Sequence, residues 1–170
     1  SVNTVRHLNN LRESIYQYDK DKNITIAQTS DIDFNSETWP SDSIIEGKAF
    51  ENPLKNSGFS PIKNQNLLNQ LTFNGNNNRI LNFDLSGTDN IGIFGRLDNC
   101  TIVNAVFVNC TANGRNNVGT LAGQMNGGTV KNCSVYIATE DEYQRPLTDM
   151  DSRVARYKVK ATGSNAGGLI

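Results

Sequence analysis

A chain of 170 residues with 16 Lys and Arg against 17 Asp and Glu carries a formal net charge of −1, so no general field draws it to nucleic acid or to an anionic membrane. Its hydrophobic fraction is 36%, and no stretch approaches the ~20 apolar residues of a membrane-spanning helix. Asparagine fills about one position in seven and glycine 14 more, a density of turn-tolerant residues that favours many short strands over long helices.

From the N-terminus, Val5, Leu8, Leu11 and Ile15 step by three and four, with Asn3 or Thr4 placed to cap. That spacing predicts an amphipathic helix over residues 4–15. The turn residues Asp19 to Asn23 precede a strand, Ile24 to Gln28. Residues 31–62 read as an irregular connection in which Trp39, Phe50 and Phe59 anchor the chain to a core. The run Phe73-Asn74-Gly75-Asn76-Asn77-Asn78 is a dense turn signal that opens onto a strand at Ile80. Residues 1–79 thus divide from a repetitive part, 80–170.

The repeat has two blocks. Ile80-Leu81-Asn82-Phe83-Asp84-Leu85 aligns with Ile102-Val103-Asn104-Ala105-Val106-Phe107 and with Val130-Lys131-Asn132-Cys133-Ser134-Val135. Asn90-Ile91-Gly92-Ile93-Phe94-Gly95 aligns with Asn117-Val118-Gly119-Thr120-Leu121-Ala122-Gly123, and Asn165-Ala166-Gly167-Gly168-Leu169-Ile170 begins the same motif. Stacked supersecondary units produce such periods. Two short strands and two turns per unit fit an all-β fold, a right-handed parallel β-helix. Asn82, Asn104 and Asn132 are expected to form one axial ladder, and Gly92, Gly119 and Gly167 a corner too tight for side chains. The 4–15 helix is the expected cap of the first coil, because open strand edges invite aggregation. No similar cap follows the last motif, so the native chain is expected to continue beyond residue 170, or the open coil to meet another end to end.

The candidate chemistry is sparse. Cys100, Cys110 and Cys133 each follow an Asn, lack CxxC spacing, and are expected to be small buried hydrophobes. His7 stands without a nucleophile partner. Asp31 and Asp33 share a strand face suited to calcium, although a turn or capping role is the favoured expectation. Sequons at Asn23, Asn99, Asn109 and Asn132 read as incidental. No metal site, cofactor or catalytic residue is assigned. An insertion at about 138–158 interrupts the repeat with an acidic start and a basic end; Tyr143, Arg145, Arg153, Arg156 and Tyr157 are its candidate binding residues.

Ile91-Gly92-Ile93-Phe94-Gly95 and Val118-Gly119-Thr120-Leu121-Ala122-Gly123 resemble the repeat of GLUG-motif proteins, and Val5 to Leu11, Asp31 to Phe34, Phe59 to Ile62 and Phe73 to Gly75 follow that pattern in order. The resemblance implies a β-helical module of large bacterial surface or secreted proteins, some of them IgA-specific metallopeptidases. Their zinc motif lies in a separate domain, and no HExxH occurs here. The expected function is therefore a non-catalytic structural or adhesive module, extracellular or on the cell surface, with an unidentified protein or glycan of host or matrix as partner. The alternatives are an accessory module of a larger extracellular enzyme and a carbohydrate-binding β-helix that uses aromatics such as Trp39.

Overall fold

Asparagine decides where this chain bends. In the computed structural model, which describes residues 1–11, 24–34, 44–45, 48–49, 61–63, 71–138 and 159–170, every non-glycine residue with positive φ is an asparagine: 76, 77, 82, 90, 99, 104, 109, 117, 132 and 165, at φ between 51° and 61°. A short side chain that bonds locally makes this left-handed conformation cheap for Asn, whereas most other residues lose roughly 1–2 kcal/mol there.

Between the bends lie short strands. A six-residue helix, α1 (Val5–Asn10), comes first, followed by β1 (Ile24–Ala27), β2 (Ile32–Asp33), β3 (Ile44–Ile45), β4 (Lys48–Ala49) and β5 (Ile62–Lys63). A first full circuit of the chain holds β6 (Leu71–Asn74), β7 (Arg79–Leu81), β8 (Asp84–Ser86) and β9 (Asp89–Ile91). A second holds β10 (Phe94–Val103), β11 (Val106–Val108), β12 (Thr111–Gly114) and β13 (Asn116–Val118). The third holds β14 (Ala122–Lys131), β15 (Ser134–Tyr136) and β16 (Val159–Ala161).

Among the described strands, those that follow one another in sequence do not pair, apart from the antiparallel pair β3 and β4. The sheets run β1-β6-β10-β14 with β5 also on β10, then β2-β7-β11-β15, β8-β12-β16 and β9-β13, all parallel. The chain therefore visits the sheets in a fixed order and returns beside itself. Parallel neighbours need a crossover, and here each sheet's crossover is made of the other sheets' strands. From β6 to β15, side-chain partners on adjacent circuits are 27 to 30 residues apart. The separation is 48 between Asn117 and Asn165.

The interior is filled in rows. Ile26, Phe73, Ile102 and Val130 form one, Ile32, Ile80, Phe107 and Val135 a second, and Ile91 and Val118 a third, which Ala166 extends. Phe73 packs edge-on to Phe94 at 5.5 Å, and Phe83 lies between Phe34 and Phe107 at 5.8 and 6.3 Å. α1 adds Val5 and Leu8 to this core, with Leu11 in the turn that follows. The helix is shorter than the expected 4–15, and residues 12–23 lie outside the described ones.

The register corrects the repeat alignment. Ile102 does pair with Val130, and Phe107 with Val135. Ile80, however, pairs with Phe107, and the earlier partner of Ile102 is Phe73. Each circuit bends at an Asn more than once, so two corners of one circuit carry the same apolar-x-Asn-apolar pattern. Matching Asn82 with Asn104 equated two different corners.

Candidate functional site

Side chains at and beside the bends build hydrogen-bonded columns along the stacking direction. Asn104 Nδ2 donates to Asn74 Oδ1 at 3.0 Å, and Asn132 Nδ2 to Asn104 Oδ1 at 3.3 Å. The expected third member, Asn82, belongs to a neighbouring column, where it donates to Asp33 Oδ1 at 2.8 Å. Asn109 follows on the next circuit, taking the backbone N–H of Ala138 on its Oδ1 at 2.9 Å. A third column runs Asn90, Asn117, Asn165, at 3.0 and 2.9 Å. Two more begin on carboxylates: Asn116 donates to Asp89 at 2.6 Å and Asn126 to Asp98 at 2.7 Å.

Gly92, Gly119 and Gly167 follow the third column. None has positive φ; the constraint is space. A Cβ on Gly92 would lie 2.7 Å from the Gly119 carbonyl oxygen, and on Gly119 it would meet the carbonyl of Ala122 and, at 2.8 Å, the backbone of Leu169 and Ile170. At Gly167 it would meet the Ile170 carbonyl. Gly127, at φ 68°, combines both demands: it sits beside the Asn99 bend, and a Cβ would press on the Asn99 amide oxygen.

Each cysteine occupies the position just inside a bend, and its thiol donates to the carbonyl two residues back: Cys100 to Asp98, Cys110 to Val108 and Cys133 to Lys131. Cys100 and Cys110 are buried, Cys133 partly exposed, and all three are free thiols. Burial pushes the Cys110 thiol up to about 12 and raises Cys133 as well, which keeps both protonated and unreactive at neutral pH.

The two carboxylates considered for calcium are engaged separately. Asp31 accepts from the Arg79 backbone N–H at 2.6 Å and from its Nε and Nη2 at 2.8 and 2.7 Å, which raises the Arg79 pKa, first through that side-chain bond. Asp33 holds Asn82. Among the described residues no group of three or more His, Cys, Asp or Glu is placed to hold a metal. His7 Nδ1 lies 2.6 Å from Asn3 Oδ1, and its backbone N–H donates to Thr4 Oγ1 at 3.1 Å, so Thr4 is the helix cap. Tyr143, Arg145, Arg153, Arg156, Tyr157 and Trp39 lie outside the described residues.

Two features escaped the sequence reading. Thr25, Thr72, Thr101 and Thr129 pair in one column on the outer face of the first sheet. Their signal was a threonine at matching places in successive circuits, hidden by the misaligned period. Gln28 is fully buried; its Nε2 donates to the carbonyls of Ser30 and Arg79, its own carbonyl accepts from Asn76 and Asn78, and its Oε1 has no partner. Nothing in the local sequence marks it.

No family model matches the chain, so membership of the GLUG-motif family is not shown. Over 82 residues, 45% of the chain, the sequence is 37% identical to halomucin of Haloquadratum walsbyi (strain DSM 16790 / HBSQ001), of which it spans 1%. A solved structure of a candidate immunoglobulin A1 protease from Bacteroides ovatus shares the fold at TM-score 0.50 and 20% identity, over 80% of this chain and 37% of that one. The chain thus spans a minor part of each protein it resembles. The second likeness concerns the fold alone.

Proposed function

We propose that the chain is a right-handed parallel β-helix capped by α1, and that it serves as a non-catalytic structural or adhesive module of a large cell-surface or secreted protein. The observation that carries this reading is the order of pairing: four parallel sheets revisited in sequence, circuit after circuit. Right-handedness follows from the general rule, obeyed in about 98% of cases, for parallel strands joined by a crossover. The likeness to halomucin supports an extracellular setting, and the GLUG resemblance agrees with it. Asn bends, amide columns and close-packed glycines are devices of a scaffold, and a scaffold presents whatever its insertions carry. The insertion at 138–158, with Tyr143, Arg145, Arg153, Arg156 and Tyr157, is the surface assigned to ligand.

The fold likeness to a candidate immunoglobulin A1 protease favours one second reading, an accessory module that holds substrate near an active site elsewhere in a longer protein. One experiment separates the two. The chain and a variant with alanine at those five positions are passed over immobilised matrix proteins, host glycans and immunoglobulin A. Saturable binding to a matrix protein or glycan, lost in the variant, is the expected result. Binding confined to immunoglobulin A moves the assignment to the accessory module, and no binding at high concentration removes the adhesive role.

A further inference from the structure

Among the described residues, Gln28 Oε1 is the buried side-chain polar atom that no donor reaches. The residue is fully buried, and its other polar atoms are all engaged. Its backbone N–H donates to the Asn74 carbonyl at 2.9 Å, and its own carbonyl accepts from Asn76 Nδ2 at 2.9 Å and Asn78 Nδ2 at 3.1 Å. Its Nε2 donates to the carbonyls of Ser30 and Arg79 at 2.9 and 3.0 Å. Those two partners fix the amide, because turning it over would set oxygen against two carbonyls that can only accept. The orientation of Oε1 is therefore settled by its neighbours, and the atom still lacks a donor.

This amide sits where three stretches of chain meet. Val2 bridges in parallel to Gln28, and the Thr29 N–H donates to the Val2 carbonyl at 2.9 Å, which brings the segment before α1 alongside. Asn76 and Asn78 of the following turn, and Arg79 of β7, close on the same residue. An oxygen that gives up water on folding and regains no donor is strongly disfavoured, and native interiors meet that demand with protein groups or ordered water. A cation does not suit the place. The carboxylate beside Arg79, that of Asp31, is spent on Arg79 through three bonds of 2.6 to 2.8 Å, so a buried ion would have no charge to offset it. The donor that fits is small and neutral.

We propose that Gln28 holds one internal water molecule, which donates to Oε1 and completes its bonding with the polar groups of this junction. A buried water needs about two to four partners. The Ser30 carbonyl accepts from Gln28 Nε2 and has a second lone pair, and Asn76 Nδ2 has a second N–H, so the junction supplies both an acceptor and a donor. The site stands on the contacts of Gln28 and holds whether or not the module is adhesive.

A high-resolution crystal structure of the chain is the direct test. A water about 2.5–3.0 Å from Oε1, bonded to at least one further protein group, is the expected result. A protein donor on Oε1, an amide turned the other way, a site too small for water, or an ion with six or more oxygens at about 2.3–2.6 Å overturns the proposal. In solution, relaxation dispersion of the water oxygen counts long-lived internal waters. That count is expected to fall by one in Gln28→Met, which keeps the length of the side chain and removes Oε1, with circular dichroism confirming that the variant is folded. Equal counts in two folded proteins overturn the assignment. If Gln28→Met does not fold, the crystal structure decides alone.

Discussion

The second circuit and the third carry nearly the same pattern and live in different environments. Ile102, Asn104 and Phe107 of the second circuit are matched by Val130, Asn132 and Val135 of the third. Phe107 is fully buried between Ile80 and Val135, while Val135 is 39% exposed. Among the described residues, the Asn104 side chain is bonded to Asn on both sides and Asn132 on one. Burial here belongs to the place in the stack more than to the residue's own pattern. A rung is stable in proportion to its neighbours, as expected of repeat architectures.

Paired substitutions probe that difference. The largest effect is expected at Phe107→Ala, which should cost about 3–5 kcal/mol in urea unfolding, against less than about 1 kcal/mol for Val135→Ala. Equal costs would mean that the third circuit is covered in solution. Next come the column asparagines. Asn104→Ala loses bonds to two circuits and puts alanine at φ 53°, for about 1–3 kcal/mol, whereas Asn132→Ala is expected to cost about half as much.

The smallest effect is electrostatic. Burial raises the Cys110 thiol from 9.0 to about 12, so the unfolded chain loses this proton first as pH rises. Stability from this group is complete below pH 9 and declines between pH 9.0 and about 12. At pH 10 the loss is about 1 kcal/mol relative to Cys110→Ala, whose stability should not show that decline. Cys133, on the partly exposed circuit, is expected to be alkylated before Cys100 and Cys110 in the native protein.

Much of this architecture could be read from the residues. Asn followed by a small or apolar residue marked bends, and the Asn-x-Gly block at 90, 117 and 165 was aligned in the register the structure has because it occurs once per circuit, although its amide column was not foreseen. Asn82 was misplaced for the opposite reason: its pattern recurs at two corners, and only the pairing of Ile80 with Phe107 distinguishes them. The Asp–Asn pairs 33–82, 89–116 and 98–126 were illegible, because each joins residues whose local contexts differ. The direction of the amide bonds could not be read either, since it is fixed by which residue begins a column. The candidate ligand residues of 138–158 were chosen from composition alone, and composition carries no geometry.

The bonds between circuits, main-chain and amide alike, lie along the direction in which the circuits stack. A pull on the stack lengthwise loads these rungs in series, so each bears the whole tension and the weakest lets go first. A pull across the stack loads many bonds of one rung together in shear. A tethered module of this design would resist sideways drag well and yield lengthwise by shedding its outermost circuit, leaving the inner ones wound.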